Sequence, residues 1–156
     1  MGWLGLDDTD HLSGGCTTHA LFELLQSIPS NYEVQSHRLV RLYPFASRRT
    51  RGNAAVAVEI IGEDYDELMT FLESWWASKL LPLKGLISES DMSDRQQYPS
   101  DPCMVWFNDK ISADFYWECV SREVTISEAP EATKSWAALV TESREAIAFF
   151  TCSPRP

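Results

Sequence analysis

Residues 1–28, MGWLGLDDTDHLSGGCTTHALFELLQSI, hold the key to the fold. Met1–Leu6 is a short, largely apolar run and reads as a buried strand that stops at Asp7. Asp7, Asp8 and Asp10 then crowd into four positions, and Gly14 and Gly15 open a loop. From Cys16 onward the pattern changes. Ala20, Leu21, Leu24, Leu25 and Ile28 recur at helical spacing, with Thr17 or Thr18 as the expected cap and Pro29 as the stop. Three neighbouring carboxylates repel one another, so packing alone is a poor account of the loop.

Working outward, residues 32–43 (YEVQSHRLVRLY) read as a strand closed by Pro44, and residues 53–61 (NAAVAVEII) as a central strand. Residues 64–80 form an amphipathic helix with Leu68, Phe71, Leu72 and Trp75 on one face, ended by Pro82. Residues 88–101, SESDMSDRQQYPSD, are polar and are the expected mobile loop. CMVWF (103–107) is another apolar strand. Residues 111–122 read as a helix with Ile111, Phe115 and Cys119 on one face and Ser112 as its cap. Strands alternating with helices, without repeats or a linker, predict a single α/β (α+β) domain over 1–156, with a mixed β-sheet and flanking helices.

The composition supports a real core: 44% of the 156 residues are apolar and 12% aromatic. No apolar run reaches the roughly 18 residues that span a bilayer, and no secretory pattern opens the chain, so the expectation is a cytoplasmic protein with no membrane partner. Cys16, Cys103, Cys119 and Cys152 form no CxxC pair, which points to buried free thiols and away from zinc. Trp75, Trp76, Trp106 and Trp117 fall on apolar elements and read as core. The histidines His11, His19 and His37 read as loop or structural residues. The formal net charge of −10 disfavours a broad nucleic-acid surface. Residues 37–53 nevertheless gather Arg38, Arg41, Arg48, Arg49 and Arg51, five of the 13 cationic side chains, with no acid among them. Such a segment in an acidic chain suggests a specific anion site.

Carboxylates on a turn after a buried strand suit a hard divalent cation, and magnesium takes one or two of them alongside water and phosphate oxygens. Strand alternation would send Asp8 and Asp10 to one side and Asp7 to the other, while a turn could unite all three. The competing reading is a solvated turn with a helix-capping Asp. Gly14 and Gly15 before a helix start suit a phosphate, and Thr17 and Thr18 place hydroxyls there; ordinary capping explains the same residues. Arg49 and Arg51 flank a turn in which Gly52 permits close approach and Asn53 offers an amide. Metal-binding carboxylates, a phosphate-binding helix start and an arginine clamp are together what phosphoryl transfer needs.

Three segments, GLDDTDHLSGGCTTHAL (5–21), RLVRLYPFASRRTRGNAAVAV (38–58) and, more loosely, DPCMVWFNDKISADFYWECVSREVTISEA (101–129), resemble the N-terminal part of archaeal tRNA-Ile agmatinylcytidine synthetase, TiaS. In that family the segments read approximately GIDDTDS with GxCTT, RLVRLNP with KTRGNGA, and NPG followed by FY. The resemblance implies a kinase-type domain that uses ATP and Mg2+ on the wobble cytidine of an isoleucine tRNA before agmatine is attached. It also implies metal and nucleotide roles for Asp7, Asp8 and Asp10, and autophosphorylation at Thr17, with Thr18 beside it. Arg41, Arg51 and Asn53 fall in the matched anion-binding segment, and Arg49 stands at the family's lysine.

The sequence departs from that pattern in places. Tyr43 replaces an asparagine, Ala54 a glycine, and Asp101-Pro102-Cys103 an Asn-Pro-Gly. The family continues into an OB fold and a zinc ribbon that hold tRNA, so the expectation here is a fragment or a reduced relative. Nucleotide is then the direct partner, and tRNA a partner only with further domains or another protein. The alternative is a noncatalytic nucleotide-binding or partner module of the same fold.

Overall fold

The first strand, β1 (Gly2–Asp7), alternates its side chains between two buried sheet faces: Leu4 and Leu6 point one way, Trp3 and Asp7 the other. The computed structural model describes residues 1–10, 15–46, 53–87, 99–107 and 113–124, and the backbone of 137–140. After β1 come α1 (Thr17–Ser27), β2 (Glu33–Arg41), β3 (Ala54–Ile61), α2 (Tyr65–Trp75), β4 (Cys103–Phe107), α3 (Ala113–Ser121) and β5 (Ala137–Val140). A π-helical turn over Trp76–Leu80 and a 3-10 turn over Leu81–Leu83 follow α2, so Pro82 sits inside the second turn.

The five strands lie in the order β2-β3-β1-β4-β5. The units β1-α1-β2 and β3-α2-β4 are each split by a strand of the other, the interlocked pattern of a ferredoxin-like fold with β5 added at one edge. An α+β domain with flanking helices is therefore as expected. The expected mixed pairing is not: every pairing is antiparallel among the described residues. The near-continuous apolar runs of β3 and β4 look like parallel-sheet strands because both sheet faces are covered. Here α1 and α2 cover one face and α3 the other, which produces the same run in an antiparallel sheet.

On the first face Leu21 and Leu24 of α1 and Leu68 and Leu72 of α2 pack onto Leu4, Leu6, Val56, Val58, Met104 and Trp106. Burying one such leucine contributes about 2 kcal/mol. On the second face Phe115 and Cys119 of α3 meet Ala55, Ala57, Cys103, Val105 and Phe107. Trp75, Trp76 and Trp106 are core as expected, but Trp117 is 59% exposed, on the outer side of α3. Cys103 and Cys119 are buried thiols, whereas Cys16 is exposed because it precedes the first turn of α1. Ile111, Ser112, Cys152 and residues 88–98 lie outside the described residues. No described helix is long and apolar enough to cross a membrane.

Candidate functional site

The register brings the chemistry to one end of the sheet. Asp7, at the end of β1, pairs with Cys103 at the start of β4. Arg41, at the end of β2, pairs with Ala54 at the start of β3. The aspartate loop, the start of α1 and the two ends of the β2–β3 turn therefore share that end. Arg41 is exposed there. Gly14, Arg49, Arg51, Gly52 and His11 lie outside the described residues.

Within the aspartate loop, burial alternates. Asp7 and Thr9 are 4% and 1% exposed, while Asp8 and Asp10 are half-buried and reachable. Asp8 adopts φ 49°, in the left-handed region, so strand geometry has already ended there. The Asp8 N–H donates to Asp7 Oδ1 at 2.7 Å. Burial holds the Asp7 carboxyl well above the usual carboxylate range, against the lowering effect of that bond, and the nearby charges of Asp8 and Asp10 push it further. Burial likewise pushes the Cys103 thiol up, followed by the charges of Asp7, Asp101 and Asp8.

Neither expected threonine caps α1. Cys16 occupies the cap position without a side-chain capping bond. Instead Asp10 Oδ1 accepts the Thr17 N–H at 3.1 Å and the Thr17 hydroxyl at 3.4 Å. A carboxylate at a helix start is favoured by the exposed N–H groups and the helix dipole. Thr17 is buried and Thr18 exposed, with Thr18 Oγ1 2.9 Å from Cys16 Sγ. The Thr18 hydroxyl, then the His19 N–H, pull the Cys16 thiol below its ordinary value. Gly15 has φ 89°, and a Cβ there would stand 2.7 Å from His19 Cδ2, so glycine is required at the turn into α1.

Asn53 bonds within the chain through its side chain. It is buried with φ 40°, its Nδ2 donates to the Tyr43 carbonyl at 2.6 Å, and its own carbonyl accepts from the Leu42 N–H. Asn53 thus closes the base of the arginine turn. The Tyr43 N–H donates to the Cys119 carbonyl and ties that base to the end of α3.

The last residues of the expected mobile loop turn out to be structural. The Ser100 hydroxyl donates to the Asp10 carbonyl, and the Asp101 N–H donates to Asp8 Oδ2 at 3.3 Å. Ser100 also pairs through its backbone with Gly85 and Leu86. Sequence reading placed Asp101 at the family's Asn-Pro-Gly position but missed Ser100 and both contacts, because these residues sit 90 and 93 positions from their partners.

Among the described residues, no group of three or more His, Cys, Asp or Glu side chains is arranged to hold a metal ion. The donors nearest that role are hard oxygens: the reachable carboxylates of Asp8 and Asp10, the buried carboxyl of Asp7 and the buried, unpartnered Thr9 hydroxyl. That chemistry fits magnesium, which needs only one or two protein carboxylates.

A family model for the TiaS TCKD domain matches residues 3–143. The chain belongs to the TiaS TCKD domain family. A curated relative, the isoleucine-tRNA 2-agmatinylcytidine synthetase TiaS of Thermoplasma volcanium, is 30% identical over 141 residues, covering 81% of this chain. The chain spans 31% of that relative's length. Two solved structures share the fold of this chain at lower identity. A tRNA fluorescent labeling enzyme matches 96% of this chain and 34% of its own, with TM-score 0.71 and 23% identity. A complex of TiaS with its isoleucine tRNA and ATP matches 97% of this chain and 36% of its own, with TM-score 0.67 and 20% identity.

Proposed function

We propose that this TiaS-type domain binds ATP with magnesium and transfers its terminal phosphoryl group, with Thr17 as an acceptor on the chain itself. The observation that carries the reading is the pairing of the buried Thr17 hydroxyl with the Asp10 carboxylate at the head of α1. An acceptor hydroxyl beside a carboxylate has a destination for its proton, and such bonds are often long before substrate arrives. In the step, Thr17 Oγ bonds to the terminal phosphorus as the bond to the bridging oxygen breaks. ADP leaves with that electron pair, and the threonine proton passes to Asp10. Magnesium, held by Asp8 with Asp10 and Asp7, would supply charge neutralisation on the phosphates. In this reading Arg41, with Arg49, Arg51 and Gly52 by their place in the sequence, would supply the cationic side of the site, and Gly15 and Thr18 stand at the helix start, preceded in sequence by Gly14.

Support for nucleotide comes from the TiaS relative whose solved structure holds an isoleucine tRNA and ATP. Work on a tRNA base belongs to this chain only together with further domains or a partner protein, since a surface of net charge −10 repels RNA at long range. The test is incubation with terminally labelled ATP and magnesium. Label on Thr17, absent in Thr17→Val and Asp8→Ala, supports the reading. No label on the intact chain, with or without tRNA, removes it.

A further inference from the structure

Thr9 is 1% exposed, and its Oγ1 has no hydrogen-bond partner among the described residues. Leaving a buried hydroxyl unpaired costs about 1–3 kcal/mol, and valine would fill the same shape without that cost. The loop does not need the hydroxyl to keep its form. Asp8 is held by the Asp101 N–H, and Asp10 by Ser100 through its carbonyl and by Thr17 through its carboxylate. Two further costs sit beside it: a carboxyl buried at Asp7 and a left-handed backbone at Asp8. A loop that concentrates unpaired and strained groups has the character of a binding element whose partner is a ligand.

We propose that Thr9 is a ligand-binding residue of the nucleotide site, its hydroxyl completed by an oxygen of the bound magnesium–phosphate group. Thr9 lies between Asp8 and Asp10 in the chain, and both of those side chains are only half-buried. The inference rests on the nucleotide reading and adds a residue to it.

The test compares the intact chain with Thr9→Val and Thr9→Ser by thermal unfolding without ligand and by calorimetric titration with magnesium–ATP. Thr9→Val is expected to unfold at the same temperature as the unaltered chain or above it, yet to bind magnesium–ATP about ten-fold more weakly, the effect of one lost hydrogen bond to a charged group. Thr9→Ser, which keeps the hydroxyl, is expected to bind within about two-fold of the unaltered chain. A lower unfolding temperature for Thr9→Val would show that the hydroxyl already has an internal partner and would overturn the proposal. Equal binding by Thr9→Val would overturn it while leaving the nucleotide reading intact. Failure of the unaltered chain to bind magnesium–ATP would remove both.

Discussion

The two helices on the same sheet face begin in opposite ways. At α2 the cap is local: Asp64 Oδ1 accepts the Glu67 N–H at 2.9 Å, and Asp66 and Glu67 add negative charge in the first turn. At α1 the cap residue is Cys16, with no capping bond and no acid in the first turn. There the Thr17 N–H is met by Asp10, seven residues upstream and itself held by Ser100 from 90 residues downstream. The α2 capping bond closes within four consecutive residues, and Asn31 and Tyr32 add side-chain bonds to Asp64 and Glu67 from the turn before β2. The α1 start is assembled from three distant segments and surrounded by a buried carboxyl, an unpaired hydroxyl and a thiol of lowered pKa. The first arrangement serves stability, and on the proposed function the second holds reactive groups in place at some cost in stability.

Four substitutions break or sharpen that contrast. The largest effect is expected at Asp8, a reachable carboxylate of the aspartate loop. Asp8→Ala should weaken magnesium–ATP binding at least about a hundred-fold, roughly 2.7 kcal/mol. Calorimetric titration checks this, and stability should fall by about 1 kcal/mol as the Asp101 N–H loses its acceptor and Ala is forced to φ 49°. Next is Asp10→Ala, which removes the remote cap and the proton acceptor together. It should cost about 1 kcal/mol of stability, as lost caps do, and abolish labelling of Thr17. Asp64→Ala should cost a similar 1 kcal/mol or so, a fall of about 2–4 °C in the unfolding midpoint, and leave nucleotide affinity unchanged. If Asp64→Ala also weakened binding, the contrast between the two helix starts would be lost.

The smallest effect concerns pH. The Asp7 carboxyl is raised well above its ordinary 3.8 by burial. The unfolded chain therefore releases this proton at lower pH than the folded chain does. Asp7's contribution to stability is fully present below the ordinary value and is lost as pH rises through the raised folded value. Asp7→Asn keeps an oxygen acceptor for the Asp8 N–H and removes the titration. In the presence of a chelator, its unfolding midpoint should exceed that of the unaltered chain by a margin that grows as pH rises from about 4 to about 8. A constant margin would mean that Asp7 does not titrate above the ordinary range.

Most elements were legible in the sequence because their periodicities are local. Leu68, Leu72 and Trp75 mark α2, and the apolar runs mark β1, β3 and β4 without reference to the rest of the chain. Pairing direction was not legible, because strands buried on both faces carry the same apolar run whether parallel or antiparallel. β5 was not singled out, since the four residues Ala137–Val140 are too short to show a period. For the candidate site, the aspartates, the glycine turn and the threonines were singled out by type and spacing. Their roles needed the fold: Asp10 caps the helix that Thr17 or Thr18 was expected to cap, and Asn53 closes its own turn through Tyr43. The contacts of Ser100 and Asp101 were not legible, because no short-range pattern records a hydrogen bond across 90 residues.

The claim that the aspartate loop and the start of α1 form a magnesium–nucleotide site is tested most directly by titrating ATP into the intact chain, once with magnesium and once with chelator. The account predicts saturable one-to-one binding that requires magnesium and disappears in Asp8→Ala. Absence of binding with magnesium present, or equal binding by Asp8→Ala, would contradict it.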